Sequence, residues 1–321
     1  MRILQIVAVA AAFACTQAFA QPANYPDRPL RLVVPFTAGG NVDIVARIIA
    51  QGLSEQLKQS VVVENRAGAN AIIGAEAVAH AAPDGYTMLL GTAETHAINP
   101  HIYKKLSYDP MKDLVTVGIV DEFPFSLVVS PKLPVSNLGE FIAYAKKQPG
   151  KLNFASWGIG STSQIAFAQL EQLTGIDMVH VPFKGAAPAI TAVASGQVEA
   201  FIVPLSVAAP QAKSGQVRLL AVTSAARERS MPDLPTATEQ GVPLVIGGWH
   251  VIAVPKGTPS AIVDRLNRAL NAVNARADIR DKLAKLGSTP AKSTVAQAQQ
   301  MVESEWQRWG KVVSKAGITA D

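Results

Sequence analysis

Two glycine-bearing turns carry the residues of this chain best suited to chemistry. The first lies in Leu30 to Leu57, LRLVVPFTAGGNVDIVARIIAQGLSEQL, where an apolar run meets Gly39-Gly40 and then apolar residues at helical spacing. A strand feeding a helix through such a turn leaves N–H groups unpaired at the positive end of the helix dipole, a natural seat for carboxylate or phosphate. The same residues also fit a plain strand-to-helix connection with Asn41 as helix cap. The second turn is Gly158-Ile159-Gly160-Ser161-Thr162-Ser163, which offers hydroxyls and amides ahead of a helix over Thr162 to Leu173. It lacks the lysine of a P-loop and the third glycine of a dinucleotide fingerprint. Aimed at one point, two such helix ends would clamp an anion.

Other chemistries find less support. The five histidines, His80, His96, His101, His180 and His250, fall on separate segments without the i, i+4 spacing of a helical metal site, so neither metal nor cofactor is expected. Ser161 and His180 lie on consecutive units and could pair, which keeps a secreted serine hydrolase as an alternative. However, the chain has no G-x-S-x-G nucleophile elbow. The single cysteine, Cys15, falls in a segment read as a leader: Arg2, an uncharged apolar stretch Ile3 to Phe13, then Ala18-Phe19-Ala20 before Gln21. Residues 1–20 are therefore expected to be a signal peptide removed on export to the periplasm. Ala12-Phe13-Ala14 lacks the leucine expected before a lipid-modified cysteine. The mature chain would then hold no thiol, and about 300 residues can bury enough core to need none.

Strand and helix alternate through most of the rest. Strand Val61 to Glu64, helix Ala71 to Ala82 and strand Tyr86 to Leu90 extend the first unit. From Lys151 the pattern restarts with strands at 152–155, 178–181, 198–203 and 217–222 and helices at 162–173, 188–194 and 208–213. Alternation of this kind predicts parallel α/β units. Two amphipathic stretches, Pro259 to Leu286 and Val295 to Lys315, are expected to pack back on the first half. The chain would then cross between lobes near Val120 to Pro124 and Thr223 to Arg227. Residues 21–122 and 226–321 would form lobe I, residues 123–225 lobe II, and the cleft between them would hold the ligand at the carboxyl ends of strands. The formal charge of +5 is spread along helices, which argues against nucleic acid and favours anionic solutes.

Seven motifs carry a family resemblance. They are Tyr25-Pro26-x-Arg28-Pro29, Val33-Val34-Pro35-Phe36 with Gly39-Gly40 and Asp43-Ile44, Val63-Glu64-Asn65-Arg66-x-Gly68-Ala69, Ala82-Pro83-Asp84-Gly85-Tyr86-Thr87, His96-Ala97-Ile98-Asn99-Pro100, His180-Val181-Pro182-Phe183-Lys184-Gly185 and Leu220-Ala221-Val222-Thr223-Ser224. Their order and density resemble the solute receptors of tripartite tricarboxylate transporters, the Bordetella uptake gene family. The resemblance implies a type II periplasmic binding fold, no catalysis, a small carboxylate ligand and delivery to a separate membrane permease. A monomer is expected, and a ligand-presenting sensor subunit remains a second use of the same fold. It further implies that backbone amides of Phe36, Thr37, Ala38, Gly39, Gly40 and Asp43 hold the carboxylate, with hydroxyls from the loop Gly158, Gly160, Ser161 and Thr162. Thr92, Glu94, Thr95, Trp157, Lys184, Gly185 and Pro204 complete the candidate site.

Departures from the family pattern bear on specificity. Ala38 stands where a proline is usual, Gln164 where a histidine is common, and Pro204-Leu205 where many members place an acid. Glu94 replaces a small hydroxyl. A carboxylate there would repel a dianion and could accept from an ammonium or ring N–H, favouring amino acids or nitrogen-bearing aromatic acids over citrate-like ligands. Alternatively it turns to solvent or pairs with Lys184. Trp157 and Trp249 either line the cleft or pack as core.

Overall fold

The computed structural model describes residues 25–320. The expected signal peptide, residues 1–20 with Cys15, lies outside them. The first apolar run forms β1 (Leu30–Val34), and helix α1 (Asn41–Leu57) buries Val45, Ile49, Leu53 and Leu57 along one stripe. Strand β2 (Val61–Asn65), helix α2 (Ile72–Ala79) and strand β3 (Thr87–Gly91) follow, and β1 pairs in parallel with both strands, Leu30 opposite Val61 and Val33 opposite Leu89. All five residues of β3 are buried, as suits a strand covered on both faces.

Beyond β3 the chain turns through a single π-helical turn, Glu94–Ile98, then α3 (Asn99–Ile102) and α4 (Pro110–Asp113), into β4 (Leu114–Val129). Lobe II is built from α5 (Leu138–Lys146), β5 (Asn153–Ser156), α6 (Thr162–Thr174), β6 (Val179–Pro182), α7 (Ala186–Ser195), β7 (Ala200–Pro204), α8 (Leu205–Lys213) and β8 (Arg218–Val222). Helices α6 and α7 end at Gly175 and Gly196 in the left-handed conformation that glycine adopts without a Cβ penalty. The chain closes with β9 (Gly247–Pro255), α9 (Ser260–Ala275), α10 (Ala277–Lys285), β10 (Thr289–Pro290) and α11 (Val295–Ala316).

The strand order is β2-β1-β3-β9-β4-β7-β5-β6, with β8 and β10 also on β4. The two α/β lobes are present, but the sheet is mixed. The parallel strands of each lobe meet on long antiparallel β4 and β9, which alternation alone did not reveal. Strand β4 serves both lobes: up to Pro124 it pairs with β9, and from Phe125 it pairs with β7 and β8. The chain therefore changes sheet partners inside a strand, between Pro124 and Phe125.

The second crossing lies later than the expected Thr223 to Arg227. Thr223 N–H donates to Phe125 O, Ile246 N–H donates to Thr223 O, and only at Gly247 does the chain enter β9 opposite Pro124. The excursion between them packs on lobe II, not lobe I. Gln240 accepts from Leu138 N–H and donates to Leu220 O, while Met231 and Leu234 pack with Leu205 and Val222.

The amphipathic stretch Pro259 to Leu286 is two helices, broken at extended Arg276, whose guanidinium bonds both Asp278 and Glu55 of α1. Helix α9 packs on the lobe I core through Val263, Leu266, Leu270 and Val273. Helix α11 instead bridges the lobes. Its Val302, Trp309 and Val313 share one core cluster with Ala97 and Ile98 of the π turn and with Ile165 and Phe167 of α6. Trp309 is fully buried at this junction. Trp309→Ala should therefore lower stability by about 3–5 kcal/mol, read as a drop in the urea midpoint. A loss below about 1 kcal/mol would show that the bridge is dispensable.

Candidate functional site

At the first turn, Gly39 adopts φ +84, a Cβ added there would meet nothing within 4 Å, and the chain from Thr37 to Gly40 is exposed. Gly40, not Asn41, is the residue before the helix, and no side chain caps it. The Gly39 amide is already engaged, donating to Asp43 Oδ2 at 2.9 Å. Buried Asp43 is a hub: Oδ2 also accepts from Arg47 Nε at 3.0 Å, and Oδ1 accepts from Asn65 Nδ2 at 2.9 Å. Asn65 Nδ2 further donates to Phe36 O, tying the end of β1 to that of β2. Burial alone would raise the Asp43 pKa. The hydrogen bonds from Arg47, Gly39 and Asn65 outweigh it and hold the carboxyl below its ordinary value. Asn65 and Arg47 were not foreseen as parts of this turn, although Asn65 lies within a quoted motif.

The second turn is satisfied from within. Gly158 N–H donates to Ser156 Oγ, Gly160 N–H to Gln164 Oε1, and Ser161 N–H and Oγ both to Gly158 O. Ser161 Oγ accepts from Gln164 N–H as the cap of α6, and Ser163 Oγ donates to Ile202 O. Thr162 N–H and Oγ1 donate to Glu94 Oε1 at 3.1 and 2.6 Å, and Thr92 Oγ1 donates to Glu94 Oε2 at 2.8 Å. Glu94 thus reaches from lobe I to the start of α6 in lobe II. It neither turns to solvent nor pairs with Lys184, being only 5% exposed. Thr95 is fully buried, with its hydroxyl exchanging hydrogen bonds with the Thr92 backbone.

A second tie runs beside the first. Asn70 Nδ2 donates to Gly160 O at 3.1 Å and to Asn99 Oδ1 at 2.8 Å, while Asn99 Nδ2 returns a bond to Asn70 O. Ala69, Asn70 and Ala71 all have positive φ, a strained run that holds this side chain across the interface. Gly160 has φ +73, a left-handed conformation that favours glycine, and a Cβ there would also press on the end of the Ile102 side chain where α3 meets the loop. The Gly-Ala-Asn-Ala order after Arg66 was the available signal.

The other candidates are more peripheral. Lys184 is exposed, Gly185 (φ +116) precedes α7, and Pro204 precedes α8. Trp157 is half-buried, edge-on to Phe125 and Phe201. Trp249 is core, donating its indole N–H to Glu305 Oε2. Two surface grooves, of about 620 and 390 Å³, lie away from both turns, one along α11 beside His101 and Trp306, the other beside Arg265 and Arg268.

The Ser161 and His180 pairing does not occur. His180 Nε2 lies 2.6 Å from the Oγ of buried Ser156, which also bonds both ends of Gly158, so the pair serves to shape the loop.

Residues 45–318 match the model of the tripartite tricarboxylate transporter family receptor. The chain belongs to that family. Protein BugT of Bordetella pertussis is 35% identical over 322 residues, covering 99% of both chains. Among solved structures, an adipate-bound protein of R. palustris has a TM-score of 0.86 at 38% identity, over 92% of this chain and 99% of that one. MatC from Rhodopseudomonas palustris with bound malate has a TM-score of 0.81 at 35% identity, over 90% and 100%. Tripartite tricarboxylate receptors with this fold are solute-binding proteins, and the type II periplasmic binding architecture read from the motifs is the one found.

Two histidines, fully buried His96 and half-buried His180, give the protein a pH signature. Burial pushes both His96 and His180 down to about 4 from an ordinary 6.5. Between those values the unfolded chain binds protons that the fold excludes, so stability falls as pH drops through the window and is regained above it. Asp43, held low, adds a further loss only below the ordinary carboxylate range. Urea midpoints should therefore decline from pH 7 to pH 4, and His180→Gln, which can still bond Ser156, should decline less steeply. Parallel curves for the two proteins would refute the assignment.

Proposed function

We propose that this chain is a periplasmic receptor that captures a small carboxylate between its lobes and delivers it to the permease subunits of a tripartite tricarboxylate-type transporter. It would act as an exported monomer without a cofactor. The observation that carries the reading is the exposed, uncapped start of α1 after Gly39 and Gly40. A helix start of that kind has amides to offer an anion, and relatives of the same fold hold adipate and malate. The candidate ligand shell is Phe36 to Gly40 on lobe I, with Trp157, Lys184, Gly185 and Pro204 on lobe II. Contacts to both lobes would favour a closed state, because a ligand shifts an equilibrium only through its differential contacts. In this reading lobe I comprises 25–124 and 247–320 and lobe II the residues between them, a division that the change of strand partners within β4 supports.

Gly40 gives the direct test. Its φ of −78 suits any residue, and an added Cβ meets only Thr37 O at 3.7 Å, so Gly40→Val should fold normally while covering the helix start. Native mass spectrometry of gently purified wild type should reveal a retained small acid, and Gly40→Val should lose it with an unchanged melting temperature. Retention of the same acid by folded Gly40→Val would place the ligand elsewhere.

A further inference from the structure

We infer that Glu94 sets the charge class of the ligand by occupying, with the protein's own carboxylate, the second anion position that the two-lobe design offers, so that this receptor selects monocarboxylates. The inference rests on the receptor reading above. Its basis is an asymmetry between the two helix starts. The α1 start is exposed and carries no side-chain cap, whereas the α6 start is buried and doubly capped, by Ser161 from within and by Glu94 from the other lobe.

Three donors converge on the Glu94 carboxylate: Thr162 N–H, Thr162 Oγ1 and Thr92 Oγ1. Hydrogen bonds to a carboxylate from a helix start are of the stronger, charge-assisted kind. A ligand carboxylate that sought the same amide and hydroxyl would have to displace Glu94 and leave it buried without those partners. Three further donors of the loop are also engaged, the amides of Gly158, Gly160 and Ser161 being bonded to Ser156, Gln164 and Gly158.

Topology brings this negative charge beside the first turn. Strand β3 is the parallel neighbour of β1, with Val33 opposite Leu89, so Thr92 to Glu94 leave the sheet at the same edge as Phe36 to Gly40. A second carboxylate on the ligand would meet like charge there instead of a free helix start. An ammonium gains little, because Glu94 is 5% exposed and its oxygens already accept from three donors. An acid with one carboxylate and an uncharged remainder fits both constraints.

The test compares straight-chain acids of four, six and eight carbons, each as monocarboxylate, α,ω-dicarboxylate and ω-amino acid, by calorimetric titration of the intact mature chain. Wild type should bind the monocarboxylate of at least one length about tenfold or more tighter than its dicarboxylate, and no tighter as the ω-amino acid. Glu94→Gln keeps the shape of the side chain and should shrink the ratio of mono- to dicarboxylate affinity at least several-fold. A wild type that prefers the dicarboxylate or the ω-amino acid overturns the inference without any variant. So does an unchanged ratio in Glu94→Gln. Those results would leave the receptor reading standing. If no acid binds and native mass spectrometry finds none retained, the receptor reading falls and this inference with it.

Discussion

The donors at a helix start must find acceptors, and the way this chain meets that constraint organises its whole interlobe surface. Helix α6 begins in a buried position, where unpaired N–H groups would cost on the order of 1–3 kcal/mol each. Ser161, Gln164 and Glu94 remove that cost from inside the fold. Helix α1 begins in the open, where solvent or a solute can do the same work. Asp43 satisfies only Gly39 there and leaves the helix start itself without a side-chain cap. One end is therefore structural and the other available, although the sequence makes them look alike.

Glu94 can act across the interface only because its backbone is held still. The π turn buries Ala97, Ile98 and His96, and Gly91 leaves the room that the His96 ring fills, since a Cβ there would collide with it. Strand β4 supplies the frame, and it is bulged twice, between Thr116 and Gly118 and between Ile119 and Asp121. A bulge leaves ladder groups unpaired. Here they are recovered by side chains: Asn267 donates to Val117 O, Asn274 to Ile119 O and Val120 O, and Ser293 accepts from Ile119 N–H. Buried polar residues on α9 thus stitch the central strand to the layer behind it.

Much of this was readable from the residues, and the failures have physical causes. Period and cap signals located β1, α1, β3, α6 and both terminal amphipathic stretches, because those elements pack one face or end at glycine. The central antiparallel pair escaped because β4 carries Asp121, Glu122 and Pro124 amid its apolar residues and breaks alternation at its bulges. Residue types located both turns, and a family motif covers the first, yet neither could say whether their donors were free. That depends on partners 68 residues apart for Glu94 and Thr162, and 90 apart for Asn70 and Gly160. No local pattern encodes such a pairing. The Asp43 hub was half visible, since Asp43 and Asn65 lay in quoted motifs whose spatial meeting only the β1–β2 register supplies.

The ties from lobe I to the α6 loop also constrain what a ligand can do to the shape of the molecule. Asn70 holds Gly160 from a run of three left-handed non-glycine residues, a conformation costing on the order of 1–3 kcal/mol per residue and kept only where surrounding contacts outweigh it. Asn99 supplies two of those contacts, and Gly160 a third. With Glu94 and α11 the lobes are thus joined along one side by protein groups alone. A solute that bonded only lobe I would leave these ties as they are and shift nothing, since equal affinity for two states moves neither. Any closure driven by ligand must therefore come from contacts on the lobe II rim that the internal bonds leave uncommitted, which is where exposed Ile159 and Lys184 stand.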